Sequence, residues 1–564
     1  MKLSDYVFET IADAGVRHVF MLPGGGAMHL NDSLGRCERL EYVCNLHEQA
    51  CAIAADAYGQ YTNNLGVCSV TTGPGGTNTL TGVAAAWLDS TPMLIISGQV
   101  KRADLAGEQG IRQMGFQEID VVSMARPITK YAVTVTEPES IRYHLEKAIW
   151  LARNGRPGPT WLDIPLDVQA AQVEPEKIPA FDPVAEGLVA KTDSTWLQAQ
   201  VRNTLELLTQ AKRPVILVGN GVRLAKAENI FLQLVRQLDI PLLTTWKVLD
   251  FLPEDDPLFI GRPGAVGQRA ANFAQQKSDW LLMLGARMDL GQTAYMHEHL
   301  ARDAKKIMVD IDENEIKKMN TKIDVPCPVD AGIFIEEMHC QLNNSLHTPL
   351  NWSQWWLQCR SWKHQFPMVL QEYWEFEDGV SLYALVDVLS GLVQEGDLVI
   401  PGSSGACSEV TMQAFKSKQG VRVFNSEGLG PMGFGISAAL GGCITSGGNR
   451  TICLDGDGGF AMNTQELETV RRLGLPIKFF ILDNNGYGSI RSTQKNYFEE
   501  RYFASSPEGG LTLPDLEKIA QAYGLPYHEI LENNRMKKQT EAILETNEAV
   551  SYTHLRAHET RGNL

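Results

Sequence analysis

Residues 454–488 read LDGDGGFAMNTQELETVRRLGLPIKFFILDNNGYG. An apolar run, Thr451 to Leu454, enters the turn Gly456-Asp457-Gly458, and after the 25 residues 459–483 come Asn484 and Asn485. Between turn and amides lie an amphipathic helical pattern and a second apolar run, Ile477 to Leu482. Such a unit predicts two parallel strands joined by a helix. Their ends then lie side by side, so Asp457 and the Asn484 amide can converge on one hard cation while the glycines admit a phosphate. A lone GDG is a common turn. Spacing, flanking apolar runs and terminal amides together carry the reading.

The rest of the chain agrees with an α/β protein. Its 564 residues suffice for about three or four domains, and 44% hydrophobic residues with 50 glycines suit layered strands, helices and short turns. The net charge of -17, without a basic block, argues against nucleic acid or an anionic membrane as partner. No run of about 18 apolar residues occurs, and the first twenty residues carry acids where a signal peptide is apolar. Ten scattered cysteines contain no C-x-x-C pair. Cys37, Cys44 and Cys51 are seven apart, but no histidine pattern completes a zinc site, so free thiols in a reducing cytoplasm are expected.

Three α/β blocks follow, each expected to be a doubly wound parallel sheet. Residues 1–170 contain the strands VCSVTT (67–72) and PMLIISG (92–98). A linker over 171–194 is marked by Pro175, Pro179 and Pro183 among mixed charges. The central block, 195–335, contains RPVILVGNGV (213–222), DWLLMLGARMD (279–289) and KKIMVDIDENEI (305–316). Linker helices occupy 336–374, where NWSQWWLQCRSWKHQFP (351–367) has tryptophans at helical spacing, read as packing. The third block, 375–550, carries the acid turn and is expected to repeat the architecture of the first.

Two further stretches join the acid turn. LHEQACAIAADAYGQ (46–60) is an alanine-rich helix with Glu48 in its first turn, a place the helix dipole alone would favour for an acid. EGLGPMGFGISAALGG (427–442) has glycines that allow close backbone approach. With PGGGAM (23–28) before them and GPGG (73–76) between them, these motifs resemble the thiamin-diphosphate (ThDP) enzyme superfamily. The resemblance implies a pyrimidine-binding first domain, a central domain and a diphosphate-binding third domain. It makes Asp457, the Asn484 side chain and the Gly486 carbonyl the ligands of Mg2+, with Gly456 and Gly458 at the diphosphate. Glu48 then bonds N1′ of the aminopyrimidine and promotes loss of the thiazolium C2 proton, the Gly430 carbonyl accepts from the 4′-amino group, and Met432 keeps the cofactor bent. A competent site implies a homodimer or homotetramer, with Glu48 of one subunit facing the acid turn of another.

Within that superfamily, nearly the whole chain is similar to the large catalytic subunit of acetolactate synthase. FQE at 116–118 and the TK lysine, Lys130, imply that Gln117 and Lys130 flank the substrate entrance, a solvated surface lysine being the alternative reading of Lys130. FLPEDDPLFIGRPGAVG (251–267) and LGARMD imply structural FAD in the central block, while GARMDLGQTA (285–294) stands where that family has GxRFDDRVTG. Two more departures bear on substrate. PGSSGACSEV (401–410) replaces GQHQMW, bringing Ser403, Ser404 and Cys407 to that loop, with Ser403 and Ser404 expected at the cofactor. GSIRSTQ (488–494) puts Thr493 where the family has a tryptophan, and with Ser489 it leaves room for a larger, more polar acceptor.

The reading is a decarboxylating carboligase that takes a 2-oxo acid, pyruvate first, and a carbonyl acceptor, similar to variants associated with surface-polysaccharide pathways. The alternatives are a true acetolactate synthase with a small regulatory subunit, a 2-oxo acid decarboxylase or hydrolase, and a non-catalytic paralogue. Residues 551–564, SYTHLRAHETRGNL, follow where this fold needs a last apolar strand. They are expected to contain none and read as a non-native tail, the alternative being an ordinary polar one.

Overall fold

The computed structural model describes residues 1–189, 191–345, 351–377, 379–403, 405–546 and 550–556. Among the described residues, eighteen strands build three six-stranded parallel sheets. In the first, His18–Met21 (β1), Glu41–Cys44 (β2), Gly66–Val70 (β3), Met93–Gln99 (β4), Tyr131–Thr134 (β5) and Pro159–Pro165 (β6) run in the order β2-β1-β3-β4-β6-β5. β3, β4 and β6 are buried along their whole length, as apolar runs covered on both faces must be.

The central sheet holds Pro214–Val218 (β7), Leu242–Thr244 (β8), Phe259–Gly261 (β9), Trp280–Leu284 (β10), Lys305–Asp310 (β11) and Val325–Pro328 (β12). Its order, β9-β8-β7-β10-β11-β12, is that of doubly wound nucleotide-binding sheets, whose ligands sit where the strand order reverses. The tryptophan tract forms helix Ser353–Gln365. It packs on the core of this sheet, and the Trp352, Trp355 and Trp356 ring N–H groups donate to the carbonyls of Leu238, Pro214 and Asp239.

The third sheet comprises Leu398–Pro401 (β13), Arg422–Val423 (β14), Thr451–Gly456 (β15), Ile477–Asp483 (β16), Tyr527–Ile530 (β17) and Val550–Arg556 (β18). Its order, β14-β13-β15-β16-β18-β17, repeats that of the first sheet strand for strand. The expectation that nothing after Val550 forms a strand is corrected here. β18 pairs with β16 from Ile477–Val550 to Asp483–Arg556 and with β17 on its other side. The slot between β16 and β17 offers main-chain donors and acceptors to any extended segment, and Val550, Tyr552 and Thr553 are residue types suited to strands. Residues 557–564 lie outside the described residues.

First and third sheets share a core. Cys51 to Ala55 of helix Glu48–Thr62 and Phe434 to Leu440 of helix Phe434–Thr445 belong to one apolar cluster. Small residues allow this approach, since a Cβ added at Gly441 would meet the Ala54 carbonyl oxygen at 2.5 Å. Among the described residues no helix is long and apolar enough to cross a membrane.

Candidate functional site

β15 and β16 pair in register through Asp455–Ile481 and Gly456–Leu482, so the segments leaving both strands start side by side. Asp457 Oδ2 accepts from the main-chain N–H groups of Asn484 (3.2 Å) and Gly486 (3.0 Å), and Oδ1 from Gly458 N–H (2.7 Å). The carboxyl is buried, and burial pushes its pKa up to about 7. The Gly486 N–H pulls it down, while the nearby Asp483 raises it further. Arg491 Nη2 donates to both the main-chain oxygen and Oδ1 of Asn484, 2.7 Å each. Because a guanidinium only donates, it fixes the Asn484 amide with its oxygen on that side. Gly486 has φ 147° and lies so near Ser505 that an added Cβ would sit 2.2 Å from the Ser505 carbonyl oxygen, which explains the glycine.

The Gly-rich stretch folds toward this turn. Gly430 takes φ 59°, and its N–H donates to Ser426 Oγ (3.4 Å). A Cβ at Gly458 would lie 2.5 Å from Tyr487 Cε1 and 3.4 Å from Met432 Cε, so both side chains converge on the acid turn. Gly456 N–H donates to Asp455 Oδ1. Ser403 Oγ is enclosed without a hydrogen-bond partner among the described residues, and its Cβ is 4.0 Å from the position a Gly430 Cβ would take. Ser404 lies outside the described residues. Ser489 faces the same loop, because a Cβ at Gly405 would meet Ser489 Oγ. Thr493 is exposed, and its hydroxyl donates to the Ser489 carbonyl (3.1 Å).

Glu48 is buried at the start of its helix, where Asn78 Nδ2 donates to Oε2 (2.9 Å). Two third-domain residues that the sequence reading missed hold this segment. Glu466 accepts from Asn45 Nδ2, Leu46 N–H and His47 N–H at 2.8–3.1 Å. Asn463 Nδ2 donates to Gln49 Oε1 (3.3 Å) and to the Gly433 carbonyl (2.8 Å), linking the neighbour of Glu48 to the neighbour of Met432. In sequence both sit within an ordinary amphipathic helix pattern. The one signal is an acid, Glu466, on a helix start that turns out to be fully buried.

The structure separates Gln117 from Lys130. Gln117 is exposed with φ 64°, packed over Gly73, whose added Cβ would lie 2.2 Å from the Gln117 carbonyl oxygen. The buried Glu118 fastens that loop by accepting from Ala106, Met114 and Gly115 N–H groups. Lys130 Nζ instead donates to the carbonyls of Leu151 (2.5 Å) and Asn154 (2.6 Å), the C-terminal end of helix Ile141–Arg153. Burial lowers its pKa to about 8. Lys130 therefore caps a helix, a placement that differs from both sequence readings.

A cavity of about 110 Å³ lies where the central strand order reverses, lined by Arg156, Asn220, Arg287, Asp310 and Asp330 among others. A second, of about 610 Å³, shares Arg287, Asp289 and Glu427 with it and adds Trp246, Leu290 and Tyr295. Burial pushes the Glu427 carboxyl up to about 7, against the pull of Arg287.

Family models agree with this layout. The description "thiamine pyrophosphate enzyme" matches three times: its N-terminal TPP binding domain at residues 1–124, its central domain at 201–338 and its C-terminal TPP binding domain at 403–552. The acetolactate synthase isozyme 2 large subunit of Escherichia coli is 33% identical over 97% of this chain and 93% of that protein. The probable acetolactate synthase large subunit of Methanocaldococcus jannaschii is 32% identical over 97% and 90%, and the acetolactate synthase large subunit of Cyanidium caldarium 31% over 94% and 89%. With the repeated sheets and the acid turn between β15 and β16, these matches make the chain a member of the thiamin-diphosphate enzyme family, of the acetolactate synthase large-subunit type.

Proposed function

We propose that this ThDP-dependent carboligase decarboxylates pyruvate and passes the two-carbon unit to a carbonyl acceptor larger and more polar than a second pyruvate. When bound, the cofactor supplies a nucleophilic carbon and an electron sink for decarboxylation. The chain's own residues hold and orient it. Asp457, Asn484 Oδ1 and the Gly486 carbonyl hold Mg2+. A buried carboxyl pushed to about 7 suits a divalent cation, which restores its charged form. Ser403 Oγ, enclosed and without a hydrogen-bond partner among the described residues, is read as a cofactor contact, Ser404 is read so from the sequence alone, and Gly456 and Gly458 are assigned to the diphosphate. Gly430 and Met432 orient the pyrimidine, and Glu48 shares a proton with its ring nitrogen. Gln117 is read as lying on the substrate side, and Lys130, its ammonium held by the Leu151 and Asn154 carbonyls, as a structural cap.

The observation that carries the reading is the Asp457 carboxylate receiving the amides of Asn484 and Gly486 across two in-register strand ends. The paired central cavities support FAD as a structural ligand. Arg156 and Arg287 suit a diphosphate, Asp310 and Asp330 suit sugar hydroxyls, and Trp246 and Tyr295 suit a flat ring. The exposed aromatics Phe116, Tyr497 and Phe503 support self-association into at least a dimer. A reducing cytoplasm is part of this reading, from ten cysteines scattered without a C-x-x-C pair.

The acceptor preference rests on Thr493 and Ser489, hydroxyl-bearing residues near the Ser403 loop. The second reading, acetolactate synthase itself with a regulatory subunit, is favoured by the relatives named as large subunits. Product analysis with labelled pyruvate and a panel of 2-oxo acids, aldehydes and nucleotide-linked keto-sugars decides between them. We expect faster pyruvate turnover with the larger acceptors, and acetolactate dominating throughout the panel would establish the second reading.

A further inference from the structure

Lys247 lies just after β8, in a turn where central, first and third domains meet, and its side chain is 9% exposed. Its ammonium has three protons and three acceptors: Gln60 Oε1 (2.6 Å), Asp89 Oδ2 (3.1 Å) and the Asn425 carbonyl (2.7 Å). Gln60 and Asp89 belong to the first domain, Asn425 to the third. Asp89, with a side chain 1% exposed, is saturated in turn, its Oδ1 accepting from Gly428 N–H (2.8 Å) and Oδ2 from Glu427 N–H (3.1 Å). The pair thus grips the main chain at 425, 427 and 428. Gly428 is pressed against it so closely that an added Cβ would meet Leu88 Cβ at 2.6 Å and Asp89 Oδ1 at 3.1 Å.

A buried ion pair is a poor source of net stability, because desolvation offsets much of the attraction. It is a good source of geometry. Gly430, in a left-handed φ, and Met432 follow at once, and Met432 packs against the acid turn at Gly458. We propose that Lys247 and Asp89 are positioning residues whose buried pair sets the path of segment 425–432, and thereby the orientation in which Gly430 and Met432 present the pyrimidine to Glu48. This rests on the cofactor assignment above. The pair touches neither the reacting atoms nor the metal ligands, so it acts on activation of bound cofactor and leaves retention of the diphosphate alone.

The test compares wild type with Lys247→Met, Lys247→Arg, Gly428→Ala and the charge-free pair Lys247→Gln/Asp89→Asn, which leaves no lone buried charge if Lys247→Met fails to fold. ThDP and Mg2+ affinity is measured by calorimetry, C2 proton exchange of the bound cofactor by NMR, and the aminopyrimidine band by circular dichroism. We expect affinity to stay within about threefold while C2 exchange per bound cofactor falls about tenfold or more and the band changes. Lys247→Arg should recover part of the rate. Gly428→Ala, which keeps both charges but displaces the segment, should share the loss. Unchanged exchange per bound cofactor in Lys247→Met or the double variant, with only thermal stability lowered, would reduce the pair to a brace and overturn the proposal. A wild type that binds no ThDP would instead overturn the cofactor assignment beneath it.

Discussion

The first and third sheets share one strand order, yet their third strands end in different chemistry. β3 runs into Thr71-Thr72-Gly73-Pro74, a glycine turn without an acid, covered by the Gln117 carbonyl. β15 runs into Asp455-Gly456-Asp457, whose buried carboxylate collects amides from the neighbouring strand end. The same scaffold therefore yields a closed turn in one copy and a candidate cation site in the other. What differs is one carboxylate and the amides after β16, so function resides in side chains placed on a repeated frame. The first copy contributes through another element, Glu48 at the head of a helix that the third copy holds by Glu466 and Asn463.

If the third copy retains the cofactor and the first activates it, Glu48→Gln should separate the two tasks. The amide keeps size and hydrogen bonding but is a poor proton partner, so turnover should fall by about 10²–10⁴-fold while ThDP still binds. Near-normal C2 exchange in this variant would show that Glu48 is only a helix-end acid.

Lys130 tests whether the far edge of the first sheet is structural. Lys130→Met removes the donor to Leu151 and Asn154 and should cost about 1 kcal/mol of stability, read as a small fall in melting temperature. The kcat/KM for pyruvate should change by less than about twofold. A large loss of activity at unchanged stability would return Lys130 to the substrate.

The paired helices differ as well. Helix Phe434–Thr445 carries no acid, whereas helix Glu48–Thr62 carries Asp56, which burial and the nearby Asp89 push up to about 7. The folded state keeps this proton above the pH at which the unfolded chain, near 3.8, releases it. Stability from this group is therefore full at low pH and is lost as pH rises through about 7. Asp56→Asn should flatten the thermal-stability profile over that window, and an unchanged slope would show that another group sets it.

The acid turn and both glycine stretches were legible because each is local: strand, turn and helix lie within a few tens of residues, and the chemistry sits at strand ends. Contacts between distant segments were not. Lys247 reaches Asp89 across 158 positions, and Glu466 reaches Leu46 across 420, leaving no periodic trace. The direction of Lys130 depends on a helix end brought beside it by β6. β18 escaped notice because a strand closing a ladder between two others needs main-chain partners more than an apolar run.

The account stands or falls on Asp457, and calorimetric titration of Asp457→Ala with ThDP in the presence of Mg2+ tests it most directly. If the diphosphate is held through the cation as proposed, loss of its one side-chain carboxylate should abolish high-affinity binding and carbon dioxide release from pyruvate together. Wild-type ThDP affinity in Asp457→Ala would contradict it.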